Sequence, residues 1–114
     1  MTDNLIDTQS HAIAVLNDAF RKAGPGPDWI LTSGVVDRGA VFTAIACRKV
    51  MTFDAFAPNN DPYGEHDFGS VEIDGQKLFW KIDYYDETYQ WGSPDPTDPS
   101  LTRRVVTIML AREW

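Results

Sequence analysis

The sequence predicts an α+β domain in which one N-terminal helix packs on an antiparallel sheet of four or five strands. Three observations carry this. Residues 8–26, TQSHAIAVLNDAFRKAGPG, place apolar side chains at helical spacing and then stop at glycine and proline. Residues 70–86, SVEIDGQKLFWKIDYYD, set Asp74-Gly75 between two alternating runs, the pattern of a tight hairpin. Residues 103–114, RRVVTIMLAREW, are apolar on both faces, as befits a strand in the middle of a sheet.

Each element follows from local chemistry. In the first helix Ala12, Ile13, Leu16, Ala19, Phe20 and Ala23 form the stripe, with Asp7, Thr8 or Ser10 as candidate caps. Arg21 and Lys22 fall in the last turn, where the helix dipole favours cations, and His11 is expected to be exposed in the first turn. Residues 29–36, WILTSGVV, are rich in β-branched side chains and read as a strand. The alanines of residues 37–50 fit a second short helix near 39–48, with a strand pair as the alternative. Residues 50–56, VMTFDAF, alternate and read as another strand. On the strand after the hairpin turn, Leu78, Trp80, Ile82 and Tyr84 share the core face, and Lys77, Phe79, Lys81, Asp83 and Tyr85 share the other. Residues 86–102 carry prolines at 94, 96 and 99, which exclude a helix or a central strand. A loop of that length in a small domain is usually functional or mobile.

At 114 residues and 43% hydrophobic the chain is expected to form one domain, 1–114, with a real core. The polar, acidic start is not a secretory signal, and no apolar run is long enough to cross a membrane, so a cytoplasmic protein is expected. The lone cysteine, Cys47, sits in an apolar context and reads as a buried small hydrophobe. Charge is uneven. Residues 54–98 hold eleven acidic and two basic residues, a balance of −9, whereas the remainder balances at +2. That middle cannot bind phosphates directly, which excludes a nucleic-acid surface there and favours a partner protein with a basic surface.

The stretch DPYGEHDFG, residues 61–69, gathers the chain's most reactive side chains. Asp61, Glu65, His66 and Asp67 offer metal-ligating atoms, but the spacing is not that of an EF-hand and only one histidine is well placed. No cofactor or metal is therefore expected. As an enzyme the loop would use His66 with Asp67 and Glu65, aided by Asp83, in general acid–base chemistry of a hydrolase or metal-dependent kind. No nucleophile motif accompanies them. The competing reading is a structural corner, with Asp61-Pro62 starting a turn and Gly64 and Gly69 supplying backbone freedom.

The blocks NDPYGEHDFG, FWKIDYYD, SPDPTDPSLTRRVVTIMLAREW and IAVLNDAFR together resemble a family of small bacterial proteins classed as a domain of unknown function, often carried on plasmids and other mobile elements. The resemblance spans roughly residues 12–114, and Trp114 stands where that family usually has tyrosine. It implies that the signature lies at 60–69, 80–86 and 93–102, and it brings no catalytic residues. Joined to the acidic middle, it leads to the expectation of a non-catalytic protein-binding domain, an inhibitor of a host nucleic-acid-targeting defence system of the anti-CRISPR or anti-restriction type that mimics phosphate. Its contact residues would be Asp61, Glu65, His66, Asp67, Asp83, Tyr85, Asp86, Glu87, Tyr89 and Trp91, with Tyr84 among the anchoring aromatics.

Overall fold

The computed structural model describes the backbone of residues 2–114 and the side chains of residues 8–114. In chain order the elements are helix α1 (Thr2–Ala23), strand β1 (Trp29–Leu31), helix α2 (Ser33–Val36), helix α3 (Ala40–Met51), strand β2 (Phe68–Ile73), strand β3 (Gln76–Tyr85), strand β4 (Arg103–Leu110) and a closing 3-10 turn (Ala111–Glu113). The four strands form one sheet in the order β1-β4-β3-β2. The fold is α+β, as the sequence patterns predict. No helix among the described residues is long and apolar enough to cross a membrane.

The hairpin forms where Asp74-Gly75 predicts it. Both residues take positive φ, 51° and 77°, and Ile73 faces Gln76 across the turn. β3 and β4 pair antiparallel over eight residue pairs, from Leu78↔Leu110 to Tyr85↔Arg103, and β4 lies inside the sheet as its two-faced apolarity requires. β1 instead runs parallel to β4, with Trp29 opposite Val106, so the sheet is mixed.

Two strand expectations need correction. β1 covers only the first three residues of 29–36. The Glu113 carboxylate accepts hydrogen bonds from Thr32 Oγ1 (2.6 Å) and the Gly34 amide (3.1 Å), and the chain turns there into α2. A Cβ on Gly34 would come within 2.6 Å of that carboxylate, so a larger residue there would displace the Glu113 side chain. Residues 50–56 form no strand. α3 runs on to Met51, and Arg21 Nη1 donates to Val50 O and Phe53 O, occupying two carbonyls that a ladder would have used. Of the two alternatives for 37–50, the helix is the one that forms.

α1 starts well before its candidate caps, so Thr8 and Ser10 lie inside it and His11 is mid-helix, though exposed as expected. Asp7 falls outside the described side chains. The helix closes at Gly24, whose φ of 91° suits a residue without Cβ. The core lies between the sheet and the helices. Leu78, Trp80, Ile82, Val106, Ile108 and Leu110 meet Val35, Ala46, Cys47 and Val50, with Phe20 packed at the margin. Cys47 is buried as expected, and burial pushes its thiol pKa up. The opposite face of the sheet carries an aromatic cluster, Phe68, Phe79 and Trp114.

Candidate functional site

The 61–69 stretch is a corner leading from the segment after α3 into β2; Asp61 is buried and Glu65, His66 and Asp67 are half-buried, whereas Tyr63 is exposed. One Asp61 carboxylate oxygen accepts the His66 amide at 3.3 Å. Gly64 and His66 both have positive φ, 69° and 58°, and a histidine in that region carries a small conformational cost. The His66 ring lies flat on Phe56, with centroids 3.9 Å apart and planes 1° from parallel. Its Nδ1 is 3.0 Å from Asp18 Oδ1 on α1, and its Nε2 is 3.7 Å from Asp61 Oδ2. A carboxylate can only accept, so the Asp18 contact places a proton on Nδ1.

Asp18 also takes Arg21 Nη2 at 2.7 Å. Arg21 is not the solvated end-of-helix cation that its position suggests: it is 1% exposed, and its guanidinium stacks over the Trp80 and Phe56 rings at 4.9 and 5.4 Å. Its carbonyl contacts to Val50 and Phe53 tie α1 to the end of α3.

One turn earlier, Asn17 is fully buried and works as a hub. Its Nδ2 donates to Glu65 O and to Tyr84 Oη, both at 2.9 Å, and its Oδ1 accepts Arg104 Nε at 2.7 Å. Tyr84 in turn donates to Glu65 Oε1 at 2.9 Å. Burial pushes the Tyr84 hydroxyl pKa far up, and the nearby Asp67 and Glu65 charges add to the effect. Asp67 is likewise pushed up, first by burial and then by the Glu65 and Asp61 charges. Arg104 moves down because it is desolvated.

The corner therefore does not assemble a Glu65–His66–Asp67 triad. Glu65 is engaged by Tyr84, and His66 by Asp18 and Asp61. Among the described residues no group of three or more His, Cys, Asp or Glu is placed to hold a metal ion. What the geometry does give is a fastener joining α1, β3, β4 and the segment after α3. His66 also borders two clefts, of about 260 and 330 Å³.

The remaining candidates lie apart. Asp83 pairs with Lys81 at 3.0 Å on the far face of the sheet. Tyr85 bridges to Gly92, which extends the β3 end into the loop 86–102. That loop is built from three Asp-x-Ser/Thr turns. Asp86 Oδ1 accepts the Thr88 hydroxyl (2.8 Å) and the amides of Thr88, Gln90 and Trp91. Asp95 holds Thr97, and Asp98 holds Ser100, in the same way. The Asp86 carboxyl lies below its usual range chiefly because of the Thr88 hydroxyl, and Asp98 chiefly because of the Ser100 hydroxyl. Glu87 reaches Arg103 only at 4.0 Å. Tyr89, at a φ of 61°, donates its hydroxyl to Asp28. Trp91 is 71% exposed on this tied loop.

Residues 31–113 match a family described as a protein of unknown function, DUF3768. The chain belongs to this family. The DUF3768 match starts at residue 31, later than the resemblance near residue 12, so α1 lies outside it. Asn17, Asp18 and Arg21 thus come from outside the DUF3768 match and complete a corner whose other members lie within it. No curated protein and no solved structure matches the chain.

Asn17, Asp18, Arg21 and Arg104 belong to the corner, and the apolar pattern of the sequence does not reveal them. A signal was available: Ile13, Asn17 and Arg21 are spaced four apart and form the buried line of the DUF3768 chain's first helix. A search restricted to apolar residues passes over two of the three.

Proposed function

We propose that this chain is a non-catalytic protein-binding domain whose contact surface is the loop 86–102 with Trp91 at its centre. The observation that carries the reading is the pairing of exposure with order. Trp91 leaves most of its indole in water, yet its amide is held by Asp86 and the next residue by the Tyr85–Gly92 bridge. An exposed aromatic on a preorganised loop can be buried by a partner at little ordering cost, which is the character of an interface anchor. Tyr89, Asp86 and Glu87 surround it, and the acidic balance of residues 54–98 favours a partner with a basic surface. Such a surface belongs to a protein that handles nucleic acid, and carboxylates would occupy it in place of phosphates. The setting is the cytoplasm, and the specific role is that of a mobile-element-encoded inhibitor of a bacterial host defence complex.

The test is capture of a partner from host lysate by the wild-type chain and by Trp91→Ala. The reading expects a partner that is lost with the substitution and released as salt rises from about 50 to 500 mM. Equal capture by both chains would refute it.

A second reading rests on His66. A ring held by Asp18 at Nδ1 and bordered by two clefts has the arrangement of a general base. It expects turnover of a hydrolysable substrate that a folded His66→Gln chain lacks.

A further inference from the structure

Arg104 is a buried cation, 8% exposed, with no ion-pair partner among the described residues: no carboxylate oxygen of theirs lies within 4.0 Å of it. Its Nε donates to Asn17 Oδ1 and its Nη2 to Pro96 O, and its guanidinium lies 5.3 Å from the Tyr84 ring centroid. Its Nη1 has no hydrogen-bond partner among the described residues. Glu65 acts on it electrostatically only from beyond ion-pair range. A buried cation without a counter-ion is costly, and the neutral contacts offset only part of that cost.

Arg104 lines a cleft of about 400 Å³ between α1 and the loop 86–102. Leu16, Ala19, Phe20 and Pro99 give the cleft apolar walls, and Arg103 adds a second cation. Arg103's nearest carboxylate is Glu87 at 4.0 Å, a weak contact. Asp28 also lines the cleft and is engaged by the Tyr89 hydroxyl. The Thr102 hydroxyl is taken up by Asp95 O, Asp98 O and Ser93. Within the lining itself two guanidiniums outnumber the one carboxylate, Asp28, and stand beside an apolar wall. That volume, with apolar walls beside a small set of charged and polar groups, is that of a small-molecule site.

We propose that this cleft binds a small amphipathic monocarboxylate, its head on Arg103 and Arg104 and its apolar body against Leu16, Phe20 and Pro99. The site is separate from the Trp91 surface, and the proposal stands whether or not that surface binds a protein.

The test follows backbone amide signals of the full chain during titration with 4-phenylbutyrate, with its uncharged amide and acetate as controls. The expected result is saturable shifts at Leu16, Phe20, Arg103 and Arg104, with the amide and acetate each at least about tenfold weaker. Arg103→Gln should weaken binding roughly tenfold. Ala19→Trp, at an exposed helical position that fills the cleft, should abolish it with the fold intact. The proposal is overturned by an absence of saturable shifts up to about 20 mM acid, by equal binding of the amide, or by unchanged binding in Ala19→Trp.

Discussion

Replacing Asn17 with alanine removes the hub that joins α1 to the corner and to β4. Three hydrogen bonds go at once, those to Glu65 O, Tyr84 Oη and Arg104 Nε. Tyr84 keeps its bond to Glu65 Oε1 and loses least. The Glu65 carbonyl loses a partner in a part-buried site, at about 1 kcal/mol. Arg104 loses one of its two hydrogen bonds, the one to a side chain, and a donor on a buried charge costs about 1.5–3 kcal/mol. The space left by the amide adds roughly 1 kcal/mol. The total is about 3–5 kcal/mol, a large fraction of the 5–15 kcal/mol typical of a domain. In urea, with a slope of about 1.5 kcal/mol per M, the midpoint should fall by roughly 2–3 M with the slope unchanged. Asn17→Asp restores a partner for Arg104 but removes both donors and adds a charge beside Glu65 and Asp67, so it should not rescue. A loss below about 1 kcal/mol for Asn17→Ala would refute the hub.

Other outcomes follow from the same geometry. Leu110→Ala, at a fully buried position, should cost about 2–5 kcal/mol in urea unfolding, and a loss under about 1 would remove it from the core. Asp67→Asn should raise the melting point at pH 7 and leave it unchanged at pH 3. The sign is that of a raised carboxyl pKa: the neutral form is favoured in the fold, and stability falls as pH rises from the ordinary value near 3.9 through the raised one. Asp86 and Asp98 carry the opposite sign. Their turns contribute fully above the ordinary carboxylate value and lose that contribution as pH falls through the depressed ones, so amide exchange at Thr88 and Ser100 should quicken only in strong acid. Asp86→Lys should loosen the whole loop, because four donors converge on one of its oxygens; unchanged exchange at Gln90 and Trp91 would count against the turn. Charge reversal at Glu87, by contrast, is the clean probe of steering.

What was legible in the sequence was what local chemistry decides. The hairpin turn needed only Asp74-Gly75, and the central place of β4 needed only its own two apolar faces. What was hidden depends on partners far along the chain. β1 stops short because of Glu113, 81 residues after Thr32. Residues 50–56 stay out of the sheet because Arg21, 29 residues before Val50, holds their carbonyls. His66 was seen as reactive, but its orienting carboxylate, Asp18, comes from 48 residues upstream. Asp86 is expected as a partner contact, and nothing in composition separates such a carboxylate from one that closes a turn.

The division between a corner that fastens and a loop that binds is tested most directly by measuring partner affinity and thermal stability together in His66→Ala and Trp91→Ala. His66→Ala should melt earlier, since it loses the Asp18 contact and the Phe56 stack, and should bind in proportion to its folded fraction. Trp91→Ala should melt like the wild type, because its indole is mostly in water, and should bind at least about thirtyfold more weakly. A fully folded His66→Ala chain without function, beside a Trp91→Ala chain of wild-type affinity, would contradict the account.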